Sequence, residues 1–236
     1  MQLALPLVAP FDASRRTLVL NGRIYQVRIA RHRRARRYLL RVSPDGSLRL
    51  TVPRGSAIAD GLQFAASQHE WIAREQLRQR RRMAPWRDGS RIWFRGDVER
   101  LCVDGTAVVC GTAAIAARNA GDDMRPAVEA HFMAVAAAEL PARCLALAAR
   151  HGLCVARAVV RNQKSRWGSC SPKGVITLNW RLIQMPASVS DYVIVHELMH
   201  LRQPNHSRKF WREVESVCPT WRESERWLRK RGREIL

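Results

Sequence analysis

The chain has 236 residues, of which 47% are hydrophobic, so it can build one large domain or two small ones and is not globally disordered. Lysine and arginine total 41 against 20 aspartates and glutamates, which gives a formal net charge of +21. This imbalance favours polyanionic partners such as nucleic acid, nucleotides or an acidic surface. The alternative is a solvated basic surface without a specific partner.

No apolar run looks long enough to span a bilayer, and Leu3 to Val8 is too short for a secretory signal. We therefore expect a cytoplasmic protein without a membrane partner. The six cysteines contain no C-x-x-C pair. We expect them to be reduced, mostly buried thiols rather than a disulfide framework or a structural zinc site.

The first half of the chain is predicted to be rich in strands. Residues 1–16 look like a loose N-terminal lead-in, and residues 17–120 form a β-rich part with one long helix. Leu48, Leu50 and Val52 alternate with polar residues, which is typical of a half-buried strand. The predicted elements are strands at 23–29, 38–43 and 48–52, a helix at 58–82, and short strands from 91 to 110.

Residues 121–236 are predicted to form a mainly helical core with a small sheet, after a linker at 119–123. Asp123 can cap an alanine-rich helix whose early turn contains Pro126. The predicted elements are a helix at 123–151, strands at 155–160 and 175–179, and helices at 188–201, at 208–217 and from about 223. This order of elements predicts an α+β fold.

The helix at 188–201 is predicted to be buried, because apolar residues occupy two of its sides. Ser188 and Asp191 have the spacing of a capping box at its start. At the other end, Gln203-Pro204 stops the helix, since proline disfavours a helical residue before it. Asn205 or Ser207 can then cap the next helix.

The sequence His196-Glu197-Leu198-Met199-His200 lies on this helix, and His206 follows ten residues after the first histidine. Positions i and i+4 share a helix face, so the two imidazoles can bind one metal ion while Glu197 reaches its water. His206, in the turn between two helices, can supply a third ligand. Histidine ligands with one open position predict one catalytic Zn²⁺ per chain and a hydrolase.

Two other interpretations of this motif stay open. His196 and His200 can be satisfied core histidines without a metal, although that leaves Glu197 and His206 unexplained. The third ligand can be Glu213 or Glu215 on the following helix, which gives a two-histidine, one-glutamate site; His206 is preferred. In the preferred mechanism the ion lowers the pKa of its water to about 7 and Glu197 accepts the proton as general base.

A wider set of motifs surrounds the histidines and resembles the YgjP-like metallopeptidase-domain family, a branch of the zincins related to the SprT type. The resemblance covers the chain from about Arg23 to the C-terminus. It implies that residues 121–236 are a zincin-like core, that His196, His200 and His206 are metal ligands, and that Glu197 is the catalytic carboxylate. The matching segments are Arg166–Ser171, Ile176–Leu182, Pro186, His196–Leu201, Asn205–Ser207 and Phe210-Trp211.

The resemblance also implies that an edge strand above the metal pairs with extended substrate, and 176–179 is the candidate. Four side chains are candidate substrate or oxyanion contacts: Arg166, Asn179, Arg181 and Tyr192. Each also has a structural alternative. Arg166 can be a surface charge and Asn179 the end of a strand, while Arg181 can form an ion pair and Tyr192 can pack in the core. The resemblance puts Cys170 near the site, where a packing role in a tight turn is the preferred interpretation.

The sequence therefore predicts a zinc metallopeptidase that acts on a peptide or protein, with nucleic acid as a second partner of the basic surface. The first alternative is a metal-dependent nucleotide pyrophosphatase of the UTP type, as one branch of the family is described, with arginines that clamp phosphates. The second is a nucleic-acid-binding module with a structural metal, which requires a fourth ligand.

Overall fold

The computed structural model describes residues 15–116 and 123–235, which form two compact units that divide between Ala84 and Pro85. Within these residues there are six α-helices and three small sheets, so the predicted α+β class is confirmed. The predicted lead-in at 1–16 lies outside the described residues except for its last two, which begin the first strand.

The first unit contains a four-stranded sheet with two helices. Asn21 and Gly22, which join the first two strands, both have positive φ, at 47° and 74°. An Asn-Gly pair in this conformation makes a tight hairpin turn, and this signal was missed in the sequence. The sheet order is β1-β2-β4-β3, with β2 parallel to β4 and the other pairs antiparallel. The strands are β1 (Arg15–Leu20), β2 (Arg23–His32), β3 (Leu39–Val42) and β4 (Leu48–Pro53).

The predicted helix at 58–82 is wrong as a single element. It is two helices, α1 (Ile58–Ser67) and α2 (His69–Met83), which are separated at Gln68 with φ −94° and ψ 19°. Ser67 Oγ donates to the Phe64 carbonyl at 2.8 Å, a local bond that competes with continuation of the helix. The core of this unit is made by Tyr25, Val27, Val42, Leu48, Leu50, Val52 and Ile72.

The second unit contains two sheets. A four-stranded antiparallel meander is formed by β5 (Arg91–Phe94), β6 (Asp97–Asp104), β7 (Ala107–Cys110) and β8 (Ala113–Ala116). A three-stranded sheet is formed by β9 (Arg157–Arg161), β10 (Gly168–Cys170) and β11 (Val175–Asn179). Its order is β10-β11-β9. The prediction of an edge strand at 176–179 is therefore wrong, because β11 pairs on one side with β10 and on the other with β9.

The helices of the second unit are α3 (Arg125–Arg150), a 3₁₀ helix (Trp180–Gln184), α4 (Ala187–Met199), α5 (Arg208–Val217) and α6 (Trp221–Ile235). Residues of the meander share one core with these helices, among them Ile92, Phe94 and Leu101. The compact units thus divide earlier in the chain than the predicted boundary at 120. The predicted linker at 119–123 lies outside the described residues except for Asp123, so that boundary stays a prediction.

Helix α3 begins at Arg125, and its N-cap position is Met124 rather than the predicted Asp123. The Asp123 carboxylate nevertheless accepts hydrogen bonds from the backbone N–H groups of Arg125 and Trp86, at 3.0 and 2.8 Å.

By length and composition, helix α3 could cross a membrane, so the expectation that no apolar run is long enough to do so is wrong. A core helix passes the same test, and α3 buries seven residues in the unit's core, including Phe132 and Leu140.

Helix α4 is fixed at its start by its neighbours. The predicted capping box is wrong, since the helix starts at Ala187 after Pro186 and no side chain caps it. Instead, both oxygens of Asp191 accept from Arg143 of α3, at 2.8 and 2.5 Å. Gly96, at the β5–β6 turn, approaches so closely that an added Cβ would lie 2.8 Å from the Pro186 Cα. Packing therefore replaces capping in setting where this helix begins.

Phe132 is expected to be essential for the stability of the second unit. Its ring is fully buried and stacks on Phe94, with ring centroids 4.8 Å apart. Phe132→Ala should lower the free energy of unfolding by about 3–5 kcal/mol in urea denaturation followed by circular dichroism. Met133→Ala is the matched control on the same helix, since Met133 is 40% exposed, and it should change stability by less than about 0.5 kcal/mol. Equal losses in the two variants would contradict the packing described.

Candidate metal centre

Helix α4 and the turn after it bring three histidines together. His196 and Glu197 lie in the last turn of α4, and His200 follows the helical residues as its C-cap. The chain then turns, because the N–H groups of Leu201, Arg202 and Gln203 donate back to carbonyls of the last helical turn. This reversal of the chain brings the His206 ring next to the rings of His196 and His200.

The residue after His206 fixes where the next helix begins. Ser207 is the N-cap of α5, and its hydroxyl accepts a hydrogen bond from Phe210 N–H at 3.4 Å. Of the two predicted caps, Ser207 is therefore the one used, while the Asn205 carboxamide accepts from Ser207 N–H at 3.3 Å. His206 is thus held between a local turn and a helix start.

The three rings offer nitrogen atoms that lie within 4.8 Å of one another. The Nε2 atoms of His196 and His206 are 2.9 Å apart. Within the described residues, this is the one group of histidine, cysteine and acidic side chains with such proximity. The rival ligands do not join it, because Glu213 binds Arg202 at 3.1 Å and Glu215 binds Arg222.

Phe210 packs at the centre of the three histidines. Its ring centroid lies 4.9 Å from that of His196, 4.5 Å from that of His200 and 4.8 Å from that of His206. The side chain is fully buried, so it fixes the ring orientations by packing. Phe210 belongs to the sequence motif, and the signal for its positioning role is an aromatic residue four positions after the third histidine.

Hydrogen bonding assigns the donor nitrogen of His200. Its Nδ1 lies 3.0 Å from the Gln203 carbonyl oxygen, so the proton is on Nδ1 and the Nε2 lone pair is free for a metal. A second imidazole nitrogen, Nδ1 of His196, is buried and has no hydrogen-bond partner within residues 15–116 and 123–235. It is not the nitrogen that faces His206, so a metal ion held by Nε2 would leave this Nδ1 as an N–H group without an acceptor.

The rings are electrostatically suited to a cation. Burial, helped by repulsion from His200 and His206, lowers the pKa of His196 to about 4. Burial likewise lowers the pKa of His206, with His200 adding to the effect. Because their pKa values are lowered, His196 and His206 keep lone pairs that can be donated to a metal ion at neutral pH.

Glu197 is buried beside the cluster, with only 8% of its surface exposed. Burial raises the pKa of its carboxyl group to about 7, and the positive charge of Arg166 acts in the opposite direction. A carboxyl group with this pKa exchanges protons readily at neutral pH, which is the property required of a general base.

Two of the four predicted substrate contacts lie near the cluster. Arg166 is exposed, and its positive charge opposes the effect of burial on the pKa of Glu197. The Tyr192 ring meets His196 edge-on with centroids 6.0 Å apart, and burial raises the pKa of its phenol to about 12. Tyr192 is nearly fully buried, which also fits the structural alternative of core packing.

The other two predicted substrate contacts, Asn179 and Arg181, bind other parts of the protein. Asn179 is fully buried, and its amide donates to the carbonyls of Gln163 and Arg166 at 2.8 and 2.9 Å. It therefore shapes the loop that carries Arg166 and has no free donor for a substrate. Arg181 lies 3.9 Å from the Glu129 carboxylate and donates to the Asn162 side chain at 2.6 Å, so the ion-pair interpretation fits.

Comparison with known proteins identifies the family. Among solved structures, the chain is similar to the crystal structure of the metallopeptidase zymogen of Pyrococcus abyssi abylysin, with 29% identity over 37% of this chain and 90% of that one and a TM-score of 0.34. No curated protein matches the chain. A family model described as YgjP-like, metallopeptidase domain, matches residues 36–231. Because this range takes in well over half of the sequence, the chain belongs to the YgjP-like metallopeptidase-domain family.

Proposed function

We propose that this protein is a zinc-dependent peptidase in which His196, His200 and His206 hold the ion and Glu197 is the general base. The observation that carries the proposal is the convergence of three histidine nitrogens beside a buried carboxyl group. Family membership supports a metal-dependent peptidase. When bound, zinc supplies Lewis-acid activation of water and of the scissile carbonyl.

The protein's own part in the reaction is proton transfer by Glu197. In its ionised form a carboxylate oxygen accepts a proton from the attacking water, and the same group returns that proton to the leaving amine. Because burial places its pKa near 7, neither the protonated nor the ionised form is strongly disfavoured at neutral pH. The exposed guanidinium of Arg166 is suited to stabilise negative charge that develops on the substrate.

Strand β10 is the proposed docking edge for an extended substrate. It pairs with β11 on one side, and its other edge carries no strand of the described chain. An added Cβ at Gly168, the first residue of β10, would lie 2.6 Å from the Glu197 Cγ. The strand and the catalytic carboxyl group are therefore in contact, and a peptide that adds to β10 would pass next to Glu197.

Glu197→Gln tests the general base. The variant should keep the zinc content of the wild type, since no ligand is changed, and lose casein cleavage by a factor of about 10² or more. Zinc is measured by mass spectrometry and cleavage by peptide release. Glu213→Gln is the matched control, and its surface ion pair with Arg202 predicts nearly unchanged zinc content and activity.

Two outcomes would contradict this assignment. Full peptidase activity in Glu197→Gln would exclude the carboxyl group as the base. Zinc lost from Glu213→Gln would show that the third ligand is the glutamate instead of His206. The same pair of variants is assayed with nucleoside triphosphates, where release of pyrophosphate that depends on Glu197, without peptide cleavage, would support a nucleotide hydrolase.

Gly168→Ala tests the contact between β10 and the carboxyl group. The added methyl group has no room beside Glu197, so the carboxyl group should shift. A displacement of about 1 Å can lower activity by about 10²-fold, and we expect a loss of kcat/KM on this scale with zinc content retained. Ser169→Ala, at the half-buried next position of the strand, should remain close to wild type. An unchanged kcat/KM in Gly168→Ala would show that the approach is not needed.

A further inference from the structure

A groove in the first unit combines flat aromatic surfaces with positive charge, and the proposed peptidase site does not use it. The aromatic groove is about 480 Å³ in volume, within the range of ~300–1,000 Å³ typical of small-ligand sites. It lies between the start of β3 and the two helices of that unit. Its lining includes Arg37, Tyr38, Leu39, Phe64, Gln68 and Trp71.

The aromatic rings are partly accessible and held in place. Tyr38 and Phe64 stack with centroids 6.0 Å apart and an interplanar angle of 24°. The Tyr38 hydroxyl donates to the Ala57 carbonyl at 3.1 Å, which fixes the ring. Trp71 is half-buried on α2, just after the break at Gln68. Half-buried rings of this kind offer flat faces on which nucleobases stack irrespective of sequence.

Positive charge lies next to the rings, since Arg37 lines the groove and belongs to an arginine-rich loop. The loop between β2 and β3 carries four exposed arginines, and none forms an ion pair with a carboxylate of the described chain. Over residues 15–84 the sequence has 17 arginines and no lysine, against four acidic residues. Of those four, Asp45, Glu70 and Glu75 already lie against arginines. The four loop residues are Arg33, Arg34, Arg36 and Arg37.

We propose that the aromatic groove binds single-stranded nucleic acid, with bases stacked on Trp71 and the Tyr38–Phe64 pair and phosphates on the loop arginines. Arginine-lined grooves with stacking rings are how proteins bind single strands without reading their sequence. Duplex bases are already stacked, so they cannot use the rings. An apolar peptide could add to β3, which pairs only with β4 in the described chain, but it would leave the arginines unneutralised.

Fluorescence anisotropy with the full-length protein tests this proposal. The probes are labelled oligothymidine and oligouridine of about 15 nucleotides, and a duplex of the same length, titrated between about 50 and 200 mM salt. Both single strands should bind more tightly than the duplex. Trp71→Leu keeps an apolar side chain but removes the stacking surface, and it should raise the Kd about fivefold or more at unchanged salt slope.

Arg36→Gln combined with Arg37→Gln should weaken binding and reduce the salt slope by about two. The matched control is Arg16→Gln with Arg23→Gln, which removes the same charge from exposed positions. Arg16 lies on β1, at the edge of the sheet opposite β3, and Arg23 begins β2. The control should change the Kd by less than about twofold. Thermal unfolding followed by circular dichroism verifies that each variant is folded, and the exposed arginine pair decides the question if Trp71→Leu is unstable.

Three results would overturn the proposal. The first is no binding of either single strand at the lowest salt. The second is equal weakening in the groove variants and the control, which would mean diffuse attraction to a basic surface. The third is displacement of the oligonucleotide by an extended apolar peptide whose own binding requires Trp71, which would assign the groove to a protein partner.

Discussion

The burial of polar side chains at the end of an apolar helix is the constraint on which the candidate site depends. Helix α4 is enclosed along most of its length, so Glu197 is buried and His196 is half-buried. Burial disfavours the charged forms of His196 and Glu197. It therefore lowers the pKa of the imidazole, which stays neutral, and raises the pKa of the carboxyl group, which becomes a stronger base. The neutral imidazoles keep lone pairs that a cation between the rings would accept, so metal binding would add to the stability of this helix.

The surroundings of the site hold these groups in place by shape. Phe210 packs against all three imidazole rings, and Gly168 allows β10 to approach the carboxyl group because it has no side chain. The Gln203 carbonyl sets the tautomer of His200. Each of these residues acts on a proposed ligand or base without being one itself, and such partners position the groups that do the chemistry.

Much of the candidate site could be predicted from the sequence because its residues are close along the chain. Two histidines four positions apart on a helix must share a face, and Pro204 requires a turn that can return His206. The close approach of Gly168 to Glu197 joins residues far apart in sequence, and no local pattern reveals it. The same limit explains why the edge strand was placed at 176–179 instead of at β10. With three residues, β10 is too short to show the alternating pattern of a strand, and its pairing is set by tertiary contacts.

X-ray absorption at the zinc edge of the metal-loaded protein is the most direct test of the three-histidine centre. The account predicts three imidazole nitrogens at about 2.0–2.1 Å with one further light atom, and no sulfur. Sulfur at about 2.3 Å would contradict it and would indicate a cysteine ligand such as Cys170, whose pKa is raised by burial and by the charge of Glu197. Failure to bind zinc would contradict it equally.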